Sequence, residues 1–556
     1  MKFTEEQKKV FNFVKFDSNH GIIDAVAGSG KTTTIIESAS LINPKNNILF
    51  CAFNRSIRKE IQNKFIEKQL DRIVVKTMHA LGYDILKSNS KLKYNLDNKK
   101  FNKIIDEVIK VNPENLINSL LKINQIDPAP TDKTEKEQLK KYLYFIKNVL
   151  LDIINKYRLT LTKDSFEEFK NVIIHFNIFG EFKTSSKTFD KELQCYYEIN
   201  KYILNKGIEF ATRQSLIDYT DMLYLPYLWK LYPVRKFDLL FVDECQDLSN
   251  SQIAVALKYV KKDGRILSVG DPFQSIYGFA GADIESYNRL KGIPNTVRLS
   301  LSKCFRCPND VIELAQNFRE DIYPYQDKIG IIEKIDFEEV VEKVKKGNLI
   351  ISRLKTPLLD LLFVLLNKEI KVEVHEDDVK DILNSIRFLF SKEELRQENI
   401  EPILEDARGR NIYFIEKNSK DIDDLEDREI YVVREIELLD AKLDLVKKQL
   451  SRHIEVDNIN ELLKKIENLI SSSEDAVKLS TIHRAKGLEN ETIFILDFDL
   501  LPLYRDDQKE WERMQERNLK YVALTRTKKI LYLVNSRKFE LESNSSSLFD
   551  EIDWIE

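Results

Sequence analysis

The chain's 556 residues are too many for one ordinary core, and about 150 residues per domain suggests roughly four folding units. Hydrophobic content of 43% with 32% charged residues is ordinary for a soluble globular protein, so disorder is not the default reading. A net charge of −4 supplies no global attraction for nucleic acid, so any such site must be a local groove.

The N-terminal run MKFTEEQKKVFNF alternates acidic, basic and apolar residues and lacks the apolar core of a signal peptide. No uncharged apolar stretch reaches membrane-spanning length, so a cytoplasmic protein with no membrane partner is expected. The apolar run at 21–27, a Gly-rich turn and TTTIIESASLI read as strand, loop and helix, and 46–53 followed by 54–68 repeats the strand and helix. From 90 to 211 the pattern turns to long Lys-, Asn- and Ile-rich helical stretches. Short apolar strands return at 237–244, 265–271 and 296–301, so a first parallel sheet is interrupted and resumed.

A second alternating unit begins near 300 and includes strands at 347–353 and 369–374. Residues 379–474 are again helical and highly charged, with Ile436, Leu439, Leu443, Val446 and Leu450 forming an apolar stripe suited to a packed helical pair. Strand character resumes at 476–482, 491–498 and 529–535. Two α/β lobes, each holding a helical insertion, is the simplest description. Of the five cysteines, only Cys304 and Cys307 have C-x-x-C spacing, and with no second pair to complete four zinc ligands they read as free thiols.

The strongest chemical signal is Ala25-Val26-Ala27-Gly28-Ser29-Gly30-Lys31-Thr32, followed by Thr33 and set between an apolar strand and a helix, with Ala25 where the general phosphate-loop pattern has its first glycine. Backbone N–H groups of such a loop and the following helix N-terminus cradle the β- and γ-phosphates of a nucleotide; Lys31 adds charge and Thr32 reaches Mg²⁺. With glycine near 7% of residues, GSGKT arises by chance about once in a thousand chains of this size, so a mere Gly-rich turn is a weak account. The second signal is Phe241-Val242-Asp243-Glu244, a strand that delivers two carboxylates at its end. Asp243 is expected to hold Mg²⁺ and Glu244 to orient and deprotonate the attacking water. ATP and Mg²⁺ are the cofactors these residues call for.

Together these residues resemble the UvrD/Rep/PcrA-like helicases of superfamily one, in the branch related to the F-box DNA helicases, and further motifs follow in that family's order. The resemblance implies two RecA-like P-loop lobes, parallel sheets flanked by helices. Residues 1–89 and 212–299 would form the first lobe around an insertion at 90–211; 300–378 and 475–556 would form the second around a short insertion at 379–474. It implies that Gln7 reads the adenine edge, Gln274 senses the γ-phosphate, and Phe305 stacks on adenine beside Arg306, which reaches the γ-phosphate. Gly487 and Glu489 belong to the motif whose glutamate contacts the ribose, and Arg526 is a second arginine finger. Where the family often has an arginine after the phosphate-loop threonine, Thr33 stands here, which leaves adenine stacking to Phe305 alone.

For DNA, the resemblance assigns base stacking to Phe53, Tyr277 and Phe279, the last in place of a common tryptophan. Asn54 and Arg55 share the motif of Phe53, Thr77 and His79 form a phosphate-contacting motif, and His483 belongs to its counterpart in the second lobe. Taken singly such residues are more often core or satisfied surface groups; their place in ordered motifs carries the functional reading. The implied activity is an ATP-dependent helicase moving 3′ to 5′ on single-stranded DNA and unwinding tailed duplex, in DNA repair, recombination, replication or defence. The alternative is a DNA-dependent ATPase that remodels nucleoprotein, or senses DNA beside a partner nuclease or recombination factor, without processive unwinding. A P-loop transferase would leave the motifs around Gln274, Glu489 and Arg526 unexplained.

Overall fold

The computed structural model describes residues 2–90, 92–179, 188–278, 281, 286–390, 400–419, 425–452, 456, 458–470, 473, 475–505 and 508–537. The chain forms two compact units that interleave along the sequence: Met1–Phe305, Phe318–Tyr325 and Tyr504–Asn518 in the first, Arg306–Asn317, Gln326–Leu503 and Leu519–Glu556 in the second.

The first unit is built on six parallel strands, β1 (His20–Ala25), β2 (Ile48–Ala52), β3 (Val74–Thr77), β4 (Phe237–Val242), β5 (Val260–Gly270) and β6 (Thr296–Leu301), in the order β3-β2-β4-β5-β1-β6. Successive residues of a strand point to opposite faces, and here both faces are covered. Ile23, Phe50 and Phe241 pack beneath helices Glu5–Phe16, Lys31–Ser40 and Arg55–Glu67, while their neighbours Ile22, Leu49 and Leu240 pack beneath Met78–Asn89 and Asn250–Lys258. Burial on both sides explains why the sequence shows continuous apolar runs rather than alternation. These strands end at Ala25, Val242 and Gly270, on one edge of the sheet, where parallel α/β sheets place their ligand crevices.

Between β3 and β4 lies a helical body comprising Lys100–Val111, Leu116–Ile123, Lys133–Thr160, Phe166–His175 and Phe189–Arg213, with its own apolar core. Its entry and exit are joined by parallel pairing of Asn95–Leu96 with Leu216–Ile217. A buried ion cluster also fixes it. Arg158 contacts Asp218 and Asp221 at 2.8 and 2.9 Å, and Lys100 contacts Asp221 at 2.6 Å.

The second unit repeats the plan with β7 (Ile331–Ile335), β8 (Leu349–Ser352), β9 (Val372–Glu373), β10 (Val477–Thr481), β11 (Asn490–Leu496) and β12 (Thr527–Val534), ordered β7-β12-β11-β8-β10-β9 and all parallel. Both units are therefore parallel α/β layers, consistent with two RecA-like lobes. The stripe Leu439, Leu443, Val446 and Leu450 is buried on helix Leu425–Arg452, which packs against helices Thr356–Asn367 and Ile400–Ser419. Among the described residues, no helix is long and apolar enough to cross a membrane.

Candidate ATP site and nucleic-acid face

β1 delivers the chain into the turn 26–30, and Gly30 closes it with φ of 75° before helix Lys31–Ser40 starts. That left-handed conformation costs a side-chain-bearing residue about 1 kcal/mol or more and glycine almost nothing. A Cβ on Gly30 would also lie 3.6 Å from Gln7 Nε2 and 3.9 Å from the Phe305 ring, so the turn is lined by both. The Phe305 N–H donates to the Gly28 carbonyl at 2.8 Å, which anchors the aromatic to the loop. The Ser29 hydroxyl is buried and has no hydrogen-bond partner among the described residues. A buried hydroxyl left unsatisfied in the turn that opens a helix is what a phosphate oxygen would complete.

Gln7 is buried at helix Glu5–Phe16, whose capping box it forms with Thr4. Its Oε1 accepts from the Thr4 N–H at 3.0 Å and its Nε2 donates to Thr34 Oγ1 at 3.0 Å. Each end of the amide thus retains one further N–H or lone pair, enough for one donor and one acceptor contact to a base edge.

β4 ends at Val242 and places Asp243 and Glu244 beside Lys31. Lys31 Nζ lies 3.6 Å from Glu244 Oε1, and the Thr32 hydroxyl hydrogen-bonds Asp243. Burial, and then the charge of Glu244, push Asp243 up to about 7 against the opposing pull of Lys31. Glu244 holds φ of 49° and ψ of 43°, a left-handed conformation for a non-glycine residue of the kind found at functional turns. The hydroxyl of Thr32 and the carboxylate of Asp243 are hard oxygen donors, a set that fits Mg²⁺ bound by few protein ligands together with nucleotide phosphates.

The next strand comes very close. A Cβ on Gly270 would stand 2.4 Å from Gln246 Oε1 and 2.8 Å from Cys245 Sγ, so only glycine lets β5 pass the acidic turn. Beyond it, Asp271 N–H donates to Gln246 Oε1 at 3.1 Å, and Gln246 Nε2 donates to Glu244 Oε2 at 2.6 Å. Gln274 Nε2 donates to Asp271 Oδ2 at 2.6 Å. An unbroken path of hydrogen bonds therefore runs from Glu244 to Gln274.

In the second unit, Arg306 Nε contacts Glu489 Oε2 at 2.7 Å and its Nη1 donates to the Thr525 carbonyl at 2.8 Å. Lys528 contacts the other Glu489 oxygen at 2.7 Å, and these cations hold the Glu489 carboxyl below its ordinary range even though burial opposes them. Arg526 is buried, with Nε donating to the Val522 carbonyl at 3.0 Å and Nη1 reaching the Leu488 carbonyl at 3.4 Å. Gly487, at φ of 90°, makes the turn before Leu488 and Glu489. Cys304 and Cys307 are buried free thiols, Cys307 Sγ donating to Thr525 O.

Of the residues read as DNA contacts, Phe53 and Tyr277 stack with ring centroids 5.9 Å apart and planes at 21°. Asn54 and Arg55 are exposed; Asn54 caps helix Arg55–Glu67 by accepting from Ile57 N–H at 2.9 Å. Thr77 caps Met78–Asn89 in the same way, and the His79 ring meets Tyr219 edge-on at 5.9 Å. Burial lowers the His79 basicity, Arg55 adding to the effect and Asp218 opposing it. His483 is half-buried in the second unit and is held down to about 4 by burial and by the charges of Arg353 and Lys486. Phe279 lies outside the described residues.

Residues 3–293 match the UvrD/REP helicase N-terminal domain, and residues 476–534 match the UvrD-like helicase C-terminal domain. The chain belongs to the UvrD/REP helicase family. Similar proteins include F-box DNA helicase protein 1 of Schizosaccharomyces pombe, 25% identical over 95% of this chain and 57% of that protein. ATP-dependent DNA helicase Rep of Buchnera aphidicola subsp. Baizongia pistaciae is 23% identical over 96% of this chain and 91% of its own length, and ATP-dependent DNA helicase PcrA of Bacillus subtilis 22% identical over 93% and 80%. The chain thus spans just over half of the fission-yeast relative but most of the two bacterial ones.

Within this UvrD/REP helicase the motif reading overlooked several residues beside the site. Tyr325 places its ring 4.3 Å from that of Phe305, so the aromatic face next to Gly30 is a pair rather than a single ring. Gln246 links the two carboxylate-bearing turns, and its position two residues after Glu244 was the available signal. Arg319, on a segment outside every motif, contacts Asp24, Asp271 and Asp321.

Proposed function

We propose that this helicase-family chain is an ATP-driven motor that moves 3′ to 5′ along single-stranded DNA and unwinds tailed duplex in the cytoplasm, in repair, recombination, replication or defence. The observation that carries the reading is the loop 271–277. Gln274 at its middle is tied through Asp271 and Gln246 to Glu244, and Tyr277 three residues on is stacked against Phe53. One short loop therefore joins a phosphate-side residue to a half-buried aromatic pair, which is what coupling of nucleotide state to DNA grip requires.

In this reading the 27–30 turn, Lys31 and Ser29 hold the phosphates, while Gln7, Phe305 and Tyr325 take the adenine. Thr32 and Asp243 hold Mg²⁺, which when bound offsets phosphate charge. Glu244 accepts the proton of the attacking water, its orientation set by Gln246. Lys31, 3.6 Å from Glu244, is close enough to share its charge between that carboxylate and the phosphates. Arg306 and Arg526 are assigned the transition-state charge and Glu489 the ribose, the roles the family motifs give them. Phe53 and Tyr277 stack bases, and Asn54, Arg55, Thr77, His79 and His483 meet phosphates.

Duplexes bearing either a 3′ or a 5′ tail, assayed for strand separation with ATP hydrolysis followed in parallel, test the proposal. Unwinding of the 3′-tailed substrate alone is expected. Single-strand-stimulated hydrolysis without separation of either duplex would favour nucleoprotein remodelling or DNA sensing beside a nuclease or recombination partner.

A further inference from the structure

We propose that Arg319 is a positioning residue of the hydrolysis site, holding Asp271 so that its carboxylate fixes the orientation of the Gln274 amide. The inference rests on the reading of Gln274 as the γ-phosphate-sensing residue.

Arg319 lies on the segment Phe318–Tyr325, which packs as part of the first unit, and only 1% of its surface is exposed. Its Nη1 donates to Asp271 Oδ1 at 2.6 Å, its Nη2 to Asp24 Oδ1 at 2.7 Å, and its Nε to Asp321 Oδ1 at 2.7 Å. The guanidinium also lies 5.2 Å from the centroid of the Phe273 ring. Asp24 belongs to β1, the strand that feeds the phosphate loop, so the rigid fork of one side chain ties that strand to the 271–277 loop.

Asp271 is fully buried, and its two oxygens have separate duties. Oδ1 takes Arg319 and the Phe273 N–H, while Oδ2 accepts from Gln274 Nε2 at 2.6 Å. An ionised carboxylate only accepts hydrogen bonds, so it compels the nitrogen of the Gln274 amide to face it and the carbonyl oxygen to face away. Arg319 and the Phe273 N–H together hold Oδ1, which keeps Oδ2 turned to Gln274 Nε2. Without the guanidinium the carboxylate loses its side-chain anchor, and the Gln274 amide loses a fixed partner. Arg319 thus fixes which end of Gln274 meets the nucleotide.

The test uses the full chain with Arg319→Lys, Asp271→Asn, Gln274→Ala and the double substitution Arg319→Lys with Gln274→Ala. Measured are thermal unfolding, the KM for ATP and the DNA-stimulated kcat. Arg319→Lys keeps a cation but not the fork; it is expected to leave KM near wild type and lower kcat about tenfold or more in folded protein, with Asp271→Asn doing the same should the lysine variant fold poorly. The double variant is expected to be no slower than Gln274→Ala alone, because both changes disable one unit. Wild-type kcat in folded Arg319→Lys, losses that multiply in the double variant, or a kcat loss that only tracks the folded fraction would each overturn the proposal. Wild-type turnover in Gln274→Ala would instead remove the reading of the site itself, and this role with it.

Discussion

Gln246 donates from its amide nitrogen to the Glu244 carboxylate at 2.6 Å. Its oxygen simultaneously takes the Asp271 N–H, so the orientation of the proposed general base is set by a residue bonded to the next strand. Gln246→Ala is expected to lower kcat by roughly ten- to a hundredfold with ATP binding retained, the scale of a misplaced but intact reacting group. Glu244→Gln should go further and leave almost no turnover while still binding nucleotide. Equilibrium binding of a fluorescent ATP analogue alongside steady-state hydrolysis separates the two effects, and an active Glu244→Gln enzyme would refute the base assignment.

Arg526 presents a different kind of test, because its guanidinium is buried and braced by the Val522 carbonyl. Arg526→Ala is expected to slow hydrolysis by about 10³-fold or more with single-strand affinity nearly unchanged. Arg526→Lys should not restore it, since an ammonium cannot reproduce the planar fork. Loss of DNA affinity in parallel with hydrolysis would mark the residue as structural.

The legibility of this chain in its sequence follows the range of the interactions involved. The glycine turn before helix Lys31–Ser40 and the acidic end of β4 were readable because each is a pattern of adjacent residues between a strand and the next element. The buried strands of both sheets were readable as continuous apolar runs, but β3 at Val74–Thr77 runs directly into a helix and β7 at Ile331–Ile335 mixes Glu333 and Lys334 into an edge strand, so neither gave a clear strand signal. Arg319 and Tyr325 were invisible for another reason. Their partners Asp24, Asp271 and Phe305 are 20 or more positions away, and nothing local marks a surface-looking NFREDIYPY stretch as the place where a guanidinium is buried.

The Phe53–Tyr277 stack predicts coupled losses in DNA binding. Each alanine substitution should weaken single-strand affinity by about 1–3 kcal/mol, the value of one base–aromatic contact. The two changes together should cost less than their sum, because either one removes the ring that braces the other, and ring pairs of this kind contribute about 0.5–1.5 kcal/mol. Fluorescence anisotropy with a labelled oligonucleotide reads both numbers, and strict additivity would mean that the rings act separately.

The ion cluster at the foot of the helical insertion bears on stability rather than chemistry. Lys100 and Arg158 are both buried, and Asp221 contacts each of them. Asp221→Ala would leave two buried cations with Asp218 alone, a change expected to cost about 3–5 kcal/mol. Urea unfolding followed by circular dichroism should show the helical body losing structure at a lower midpoint. An unchanged midpoint would show that water or rearrangement compensates the cations.

His483 gives the clearest pH prediction. Its imidazole is held at about 4, below the ordinary 6.5, first by burial and then by Arg353 and Lys486. Between those two values the unfolded chain binds a proton that the folded chain refuses, so protonation favours unfolding. The stabilisation is complete above pH 6.5 and is lost as the pH falls toward 4, amounting to about 3 kcal/mol. His483→Gln should therefore flatten the part of the acid-destabilisation curve that lies in this window, measured as the unfolding midpoint at about pH 7 and about pH 5. At neutral pH the ring is uncharged, so the same variant should weaken DNA binding without changing how steeply affinity falls with salt. A reduced salt slope would mean that His483 carries a proton when it meets phosphate, and that DNA itself raises its basicity.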